Sequence, residues 1–146
     1  MRRIDPHVRT IYLAGLCLLG GMIGALANSL VVWFFGYVKI NSALGVAISP
    51  KLAWLWLRPR LLWGALWGIP FTPLVRNNWN SLYLAGFLYS LVPTLVQLFY
   101  VFPVLAGKGS MGMQLGRMTF LLVIIFNAVW GLTLAWVVKA SARRKQ

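Results

Sequence analysis

The sequence predicts an all-α integral membrane protein, a single polytopic bundle of four transmembrane helices with the second kinked or partly re-entrant. Two observations lead there. Of the 146 residues, 60% are hydrophobic and only 10% charged, whereas a soluble domain carries about a quarter charged residues to keep its surface wet. The apolar residues also fall in runs of bilayer length, with the positive charges confined to the gaps and tails between them.

The first span is expected over residues 11–37, closed by Lys39. Arg2, Arg3 and Arg9 precede it as in a signal peptide, but an apolar stretch from Ile11 to Phe35 far exceeds a signal core of roughly 7–15 residues, so it reads as a retained anchor. The second span is expected over 51–75, with Ser49 as N-cap and Pro50 in the first turn. Arg58-Pro59-Arg60 interrupts it. The uninterrupted remainder, Leu61–Val75, is about 22 Å long as a helix and short of the hydrocarbon core. Two pictures fit: a kinked span with both arginines snorkelling to the outer interface, or two half-helices in a hairpin buried within protein.

The third span, 79–105, begins behind Asn77, Asn78 and Asn80 and carries Pro93, which predicts a kink. The fourth, 116–138, ends in a basic tail, 139–146. With the tail 1–10, these segments hold half of the 14 Lys and Arg residues. The positive-inside rule then puts both termini in the cytoplasm, by expectation beneath a bacterial inner membrane. Termini on one side require an even number of crossings, which favours the kinked span over the hairpin. Lys39, Lys51, Arg58 and Arg60 strain that rule from the outer side. Trp33, Trp54, Trp56, Trp63, Trp79 and Trp136 fall near expected span ends, at headgroup depth, while Trp67 and Trp130 lie deeper and are expected between helices.

Small residues four apart make grooves where helices approach closely, and Gly20/Gly24 and Gly64/Gly68 are the candidates for helix packing. On the neighbouring face of the first span Gly21, Ala25 and Ser29 repeat the spacing, and Gly112/Gly116 lies near a loop. The partner helix belongs either to this chain or to another. Each clear span also carries an amide: Asn28, Gln97 and Asn127. Ser90, Thr94 and Gln97 share one face of the third span, and Thr119, Val123, Asn127, Gly131 and Ala135 share one face of the fourth. Amides in hydrocarbon need partners, so these stripes are expected to face each other, as structural hydrogen bonds or as the lining of a narrow polar path.

Arg58, Arg60 and Arg76 flank the second span and suit anionic lipid headgroups, by snorkelling or by forked hydrogen bonds to phosphate. A net charge of +13 is thereby assigned to the bilayer surface and not to nucleic acid. The reactive inventory is thin: one acid, Asp5, one histidine, His7, and one cysteine, Cys17. No carboxylate pair, His-based metal or haem site, or intramembrane carboxylate relay can be assembled from these. Lys108 lacks the flanking glycine spacing and the following Ser/Thr of a phosphate loop. The expectation is a non-catalytic protein without cofactor, acting as a structural, assembly or accessory subunit in a homo-oligomer or larger membrane complex. The alternative is a passive pore or facilitator for a small neutral or anionic solute, and a lesser one a lipid- or pigment-binding protein.

Overall fold

The computed structural model describes residues 6–143; the outer parts of both basic tails, with Asp5, lie outside them. Their regular structure is all helical, without strands among the described residues. Three helices are long and apolar enough to cross a membrane: 7–37, 82–105 and 119–142. These properties are compatible with an integral membrane protein.

Helix α1 spans Pro6–Tyr37 without interruption. A short α2, Ile40–Ala43, follows Lys39 in the left-handed region. Residues 46–53 are then non-helical, with Ala53 extended, so Ser49-Pro50 does not start the second helix. The reason is tertiary. Ala47 N–H donates to the Leu115 carbonyl at 2.7 Å, and the Ile48 carbonyl accepts from the Asn41 side chain at 2.6 Å. Local capping preference is weaker than those two bonds, which satisfy the backbone of a non-helical segment that a helix would have had to release.

Helix α3 begins at Trp54 and runs to Gly68 straight through Pro59. The change in backbone comes later, in a 3₁₀ turn at Ile69–Phe71, followed by α4, Thr72–Asn77. Pro70 and Pro73 lack the N–H that would continue an α-helical ladder. The Ile69 carbonyl that Pro73 leaves free accepts from Thr72 Oγ1 at 2.7 Å. The third hydrophobic run is also segmented: α5, Leu82–Tyr89, α6, Leu91–Val96, and a π-helical stretch, Gln97–Leu105. It starts at Leu82 and not at Trp79, because Asn78 turns back to donate to the Leu74 carbonyl at the end of α4. Pro93 sits just past the break at Ser90, where hydroxyls of Ser90 and Thr94 donate to the carbonyls of Phe87 and Ser90. A loop and 3₁₀ turn, Ser110–Leu115, with Gly112 and Gly116 at positive φ, lead into α7, Thr119–Arg143.

Successive contacts give the directions. On α3, Arg60, Gly64 and Gly68 meet Asn28, Ala25 and Cys17 of α1 in turn, so the two helices are antiparallel. Likewise Trp130 and Leu134 of α7 meet Gly24 and Gly20 of α1. Gly86 and Ser90 meet Gly131 of α7. The order across the bundle is therefore α3, α1, α7, α5–α6. One end carries the start of α1, the end of α7 and the turn at 78–81, and is called the terminal end; the other carries the loops 38–53 and 106–118, tied together through Ala47 and Leu115.

Packing follows the logic of a lipid solvent. Lipid tails are as apolar as leucine, so close helix contact depends on small residues that let backbones touch, and α1 places them on its inner face. Accordingly Ile11, Leu19, Ile23, Leu26, Leu30 and Phe34 line the exposed face of α1, while Cys17, Gly21, Ala25 and Ser29 are buried. At the tightest point a Cβ on Gly68 would run into the Cys17 carbonyl, and one on Gly21 into the Gly64 carbonyl. Trp130 Nε1–H donates to the Gly21 carbonyl at 3.0 Å and pins α7 to α1.

Candidate functional site

Arg60 lies in the second turn of α3, on the face that looks toward α1. Its side chain turns inward, against α1. Its Nε–H donates to Ser29 Oγ at 2.8 Å, one Nη2–H donates to Asn28 Oδ1 at 2.7 Å, and the guanidinium lies 4.7 Å from the centre of the Trp56 ring. Arg58, two residues away, is exposed, and Arg76 is exposed at the opposite end of the bundle. The three arginines therefore form no common headgroup site. Asn28 lies about two and a half turns from the end of α1 at Tyr37, so Arg60 is drawn well below the loop end.

From Arg60 the bonding continues across the bundle. Asn28 Nδ2 donates to the Phe126 carbonyl at 2.6 Å and to Asn127 Oδ1 at 3.4 Å. Asn127 Nδ2 donates to Thr94 Oγ1 at 3.0 Å and to Gln97 Oε1 at 3.3 Å. Thr94 Oγ1 in turn donates to the Ser90 carbonyl at 2.8 Å. The structure thus brings Asn28, Thr94, Gln97 and Asn127 into one network, with Ser90 taking part through its carbonyl.

The direction of this network is fixed by its fixed-polarity members. Arg60 can only donate and the Phe126 carbonyl can only accept, so the Asn28 amide has one orientation. The Thr94 hydroxyl commits its hydrogen to Ser90, so it accepts from Asn127, which orients that amide too. The N–H groups left unbonded are the three others of the Arg60 guanidinium terminus and those of the Gln97 amide, whereas each amide oxygen already has a donor.

Two cavities meet at these donors, and Asn28, Arg60, Gln97 and Asn127 line both. The first, about 350 Å³, lies toward the loop end and is bounded by Trp56, Ile48, Pro50, Leu115 and Phe126. Ala47 and Ser49 at its margin are exposed. The second, about 390 Å³, lies between α3 and the α6–π-helical run and is walled by Trp63, Trp67, Tyr100, Trp130 and Leu105. Here α3 packs along α1 and not along α6 or the π-helical stretch. The Tyr89 hydroxyl donates to the Trp67 carbonyl at 2.8 Å and joins the two runs nearer the terminal end.

Electrostatically the centre is one-sided. Arginine within a bilayer is expensive, by about 2.5–3.5 kcal/mol at a helix centre on insertion scales, and is ordinarily paired. Asp5 is the only acid in the sequence, so among the described residues Arg60 has no carboxylate partner. No group of His, Cys, Asp and Glu among the described residues is placed to hold a metal. Gly20 and Gly24 are spent against Leu134 and Trp130, and Gly64 and Gly68 against Ala25 and Cys17, all within this chain. The sequence placed Trp56 near a span end, where the structure sets it against Arg60, and did not single out Gly86. Gly86 extends the Ser90–Thr94–Gln97 stripe by one turn and was legible as such. No protein-family model, curated protein or solved structure matches this chain.

Proposed function

We propose that this chain is a non-catalytic protein of four membrane crossings that binds an anion at Arg60 and serves as a passive facilitator along the two cavities that meet there. The observation that carries the reading is a guanidinium drawn between α1 and α3 that meets no acid among the described residues and is surrounded by unbonded N–H groups and open space. Two hydrogen bonds and the Trp56 face offset part of its desolvation; an anionic ligand would supply the rest. A neutral solute would leave that charge uncompensated, so the anionic version of the facilitator is preferred.

Four crossings are supported by the antiparallel run of residues 54–77 beside α1, despite its mixed polarity. Arg2, Arg3, Arg9, Arg76, Lys139, Arg143, Arg144 and Lys145 flank the terminal end in sequence, against Lys39, Lys51, Arg58, Lys108 and Arg117 at the other. That imbalance favours cytoplasmic termini, and an inner bacterial membrane is the setting we propose. The accessory-subunit reading loses ground because its glycine grooves are filled from within the chain.

The test is the melting temperature of the purified protein in mild detergent, titrated with inorganic phosphate at constant ionic strength. Ligand that binds only the folded state raises stability by about 2.7 kcal/mol at a hundredfold excess over Kd. A rise in the native protein that vanishes in Arg60→Gln is expected; identical responses of the two proteins would remove the anion centre.

A further inference from the structure

We infer that the anion taken at Arg60 is the phosphate headgroup of an amphiphile, which enters sideways from the bilayer between α3 and the third hydrophobic run and lodges its hydrocarbon chain in the aromatic cavity. The inference rests on the anion-binding reading of Arg60 and adds the chemistry of the ligand and its route.

The second cavity joins two opposite characters in one continuous space. At its inner end stand Arg60 and Gln97, which present unoccupied donors. A guanidinium fork matches phosphate oxygens in a way that a compact monatomic anion does not use. The remaining wall is Trp63, Trp67, Tyr100 and Trp130 with aliphatic side chains between them. A free inorganic ion gains nothing from such a wall and loses its hydration against it. A hydrocarbon chain gains contact along its length. At about 390 Å³ the space is of the size that holds small organic ligands.

The outer rim faces lipid. Trp63 is 63% exposed, Tyr100 54% and Leu105 66%. Because α3 does not pack along α6 or the π-helical stretch, no helix closes this side. The π-helical turns begin at Gln97, and widened turns of this kind recur where a helix presents a side chain to a ligand. The Tyr89–Trp67 bond closes the gap toward the terminal end, so the opening lies in the half of the bundle that holds Arg60. A headgroup arriving from the loop-side leaflet thus meets Arg60 a short way below its own depth, with its chain already directed along the cavity.

The experiment uses the full chain reconstituted in phosphatidylcholine vesicles and tryptophan quenching by phosphatidic acid carrying dibrominated acyl chains, with dibrominated phosphatidylcholine as the reference. Selective quenching by phosphatidic acid is expected, with half-saturation weakened roughly tenfold or more in Arg60→Gln, the size of one lost charge-assisted hydrogen bond. Arg60→Lys, which keeps the charge and removes the fork, is expected to fall between. Trp63→Leu and Tyr100→Leu in the wall should weaken the lipid and leave stabilisation by inorganic phosphate unchanged. If phosphate stabilises through Arg60 but phosphatidic acid quenches no more than phosphatidylcholine, the ligand is a free anion and this inference is overturned while the anion centre stands. If neither ligand distinguishes native protein from Arg60→Gln, both fall.

Discussion

Asn28 is the hub on which the charge of Arg60 is balanced, and truncating it gives a prediction with a definite sign in two backgrounds. In the native protein Asn28→Ala removes the 2.7 Å bond from Arg60 and leaves a guanidinium N–H without its acceptor. A hydrogen bond to a charged group contributes about 1.5–3 kcal/mol. The same change removes the bonds from Asn28 to Phe126 and Asn127, interhelical amide contacts worth roughly 0.6 kcal/mol each in membrane proteins. The expected loss is therefore about 2.5–4 kcal/mol. In an Arg60→Leu background only the contacts to α7 are lost, and the same truncation is expected to destabilise by about 1 kcal/mol. Arg60→Leu alone should cost less than Asn28→Ala, because the desolvation penalty removed with the guanidinium is set against an Asn28 Oδ1 left without its donor. Reversible unfolding in mixed detergent micelles, followed by helical circular dichroism, measures all four corners of the cycle. The coupling between the two positions should be about 1.5–3 kcal/mol. If Asn28→Ala costs the same in both backgrounds within about 0.5 kcal/mol, Asn28 does not hold Arg60 and the directional network is wrong.

Other expectations separate packing from ligand chemistry. Gly15 has nothing within 4 Å of where a Cβ would stand, so Gly15→Ala should raise stability by about 0.5–1 kcal/mol. Gly68→Ala must push α3 off the Cys17 carbonyl and should lower it by about 1–3 kcal/mol; equal effects in the same micelle titration would refute the close approach of α1 and α3. Gln97→Glu keeps an oxygen for Asn127 and puts a carboxylate where free N–H groups now face the cavities shared with Arg60. That built-in counter-ion should abolish stabilisation by phosphate while the variant folds; an undiminished phosphate response in melting assays would count against Arg60 as the anion's seat.

Much of the architecture was readable from composition and period. A span needs a long run of apolar residues and little else, because every backbone bond of a helix is made within its own segment. Runs ending at Tyr37 and Leu105 could therefore be drawn from the chain alone, as could one expected over 116–138 that the structure begins at Thr119. The amide stripes were legible for a related reason: an amide in hydrocarbon has to find a partner. Boundaries set by partners distant in sequence were not. Ser49-Pro50 reads as a helix start, yet Leu115 and Asn41 hold that stretch out of a helix. Pro59 reads as an interruption, yet helix α3 continues through it, and the ladder changes at Ile69–Phe71.

The sequence by itself determined that this chain carries one acid against fourteen Lys and Arg residues, long apolar runs and one amide in each clear span. With Asp5 ahead of the first apolar run, it left the apolar runs themselves without an acid. Only the tertiary structure decided which arginine would turn in among them. Arg58 and Arg60 are near neighbours in α3, but helical rotation sets them on different faces: Arg58 looks outward, and Arg60 meets Asn28 and Ser29 of α1. That choice depends on the register between α1 and α3, which the contacts of Gly21, Gly64 and Gly68 fix about one to two turns away from the charge they orient.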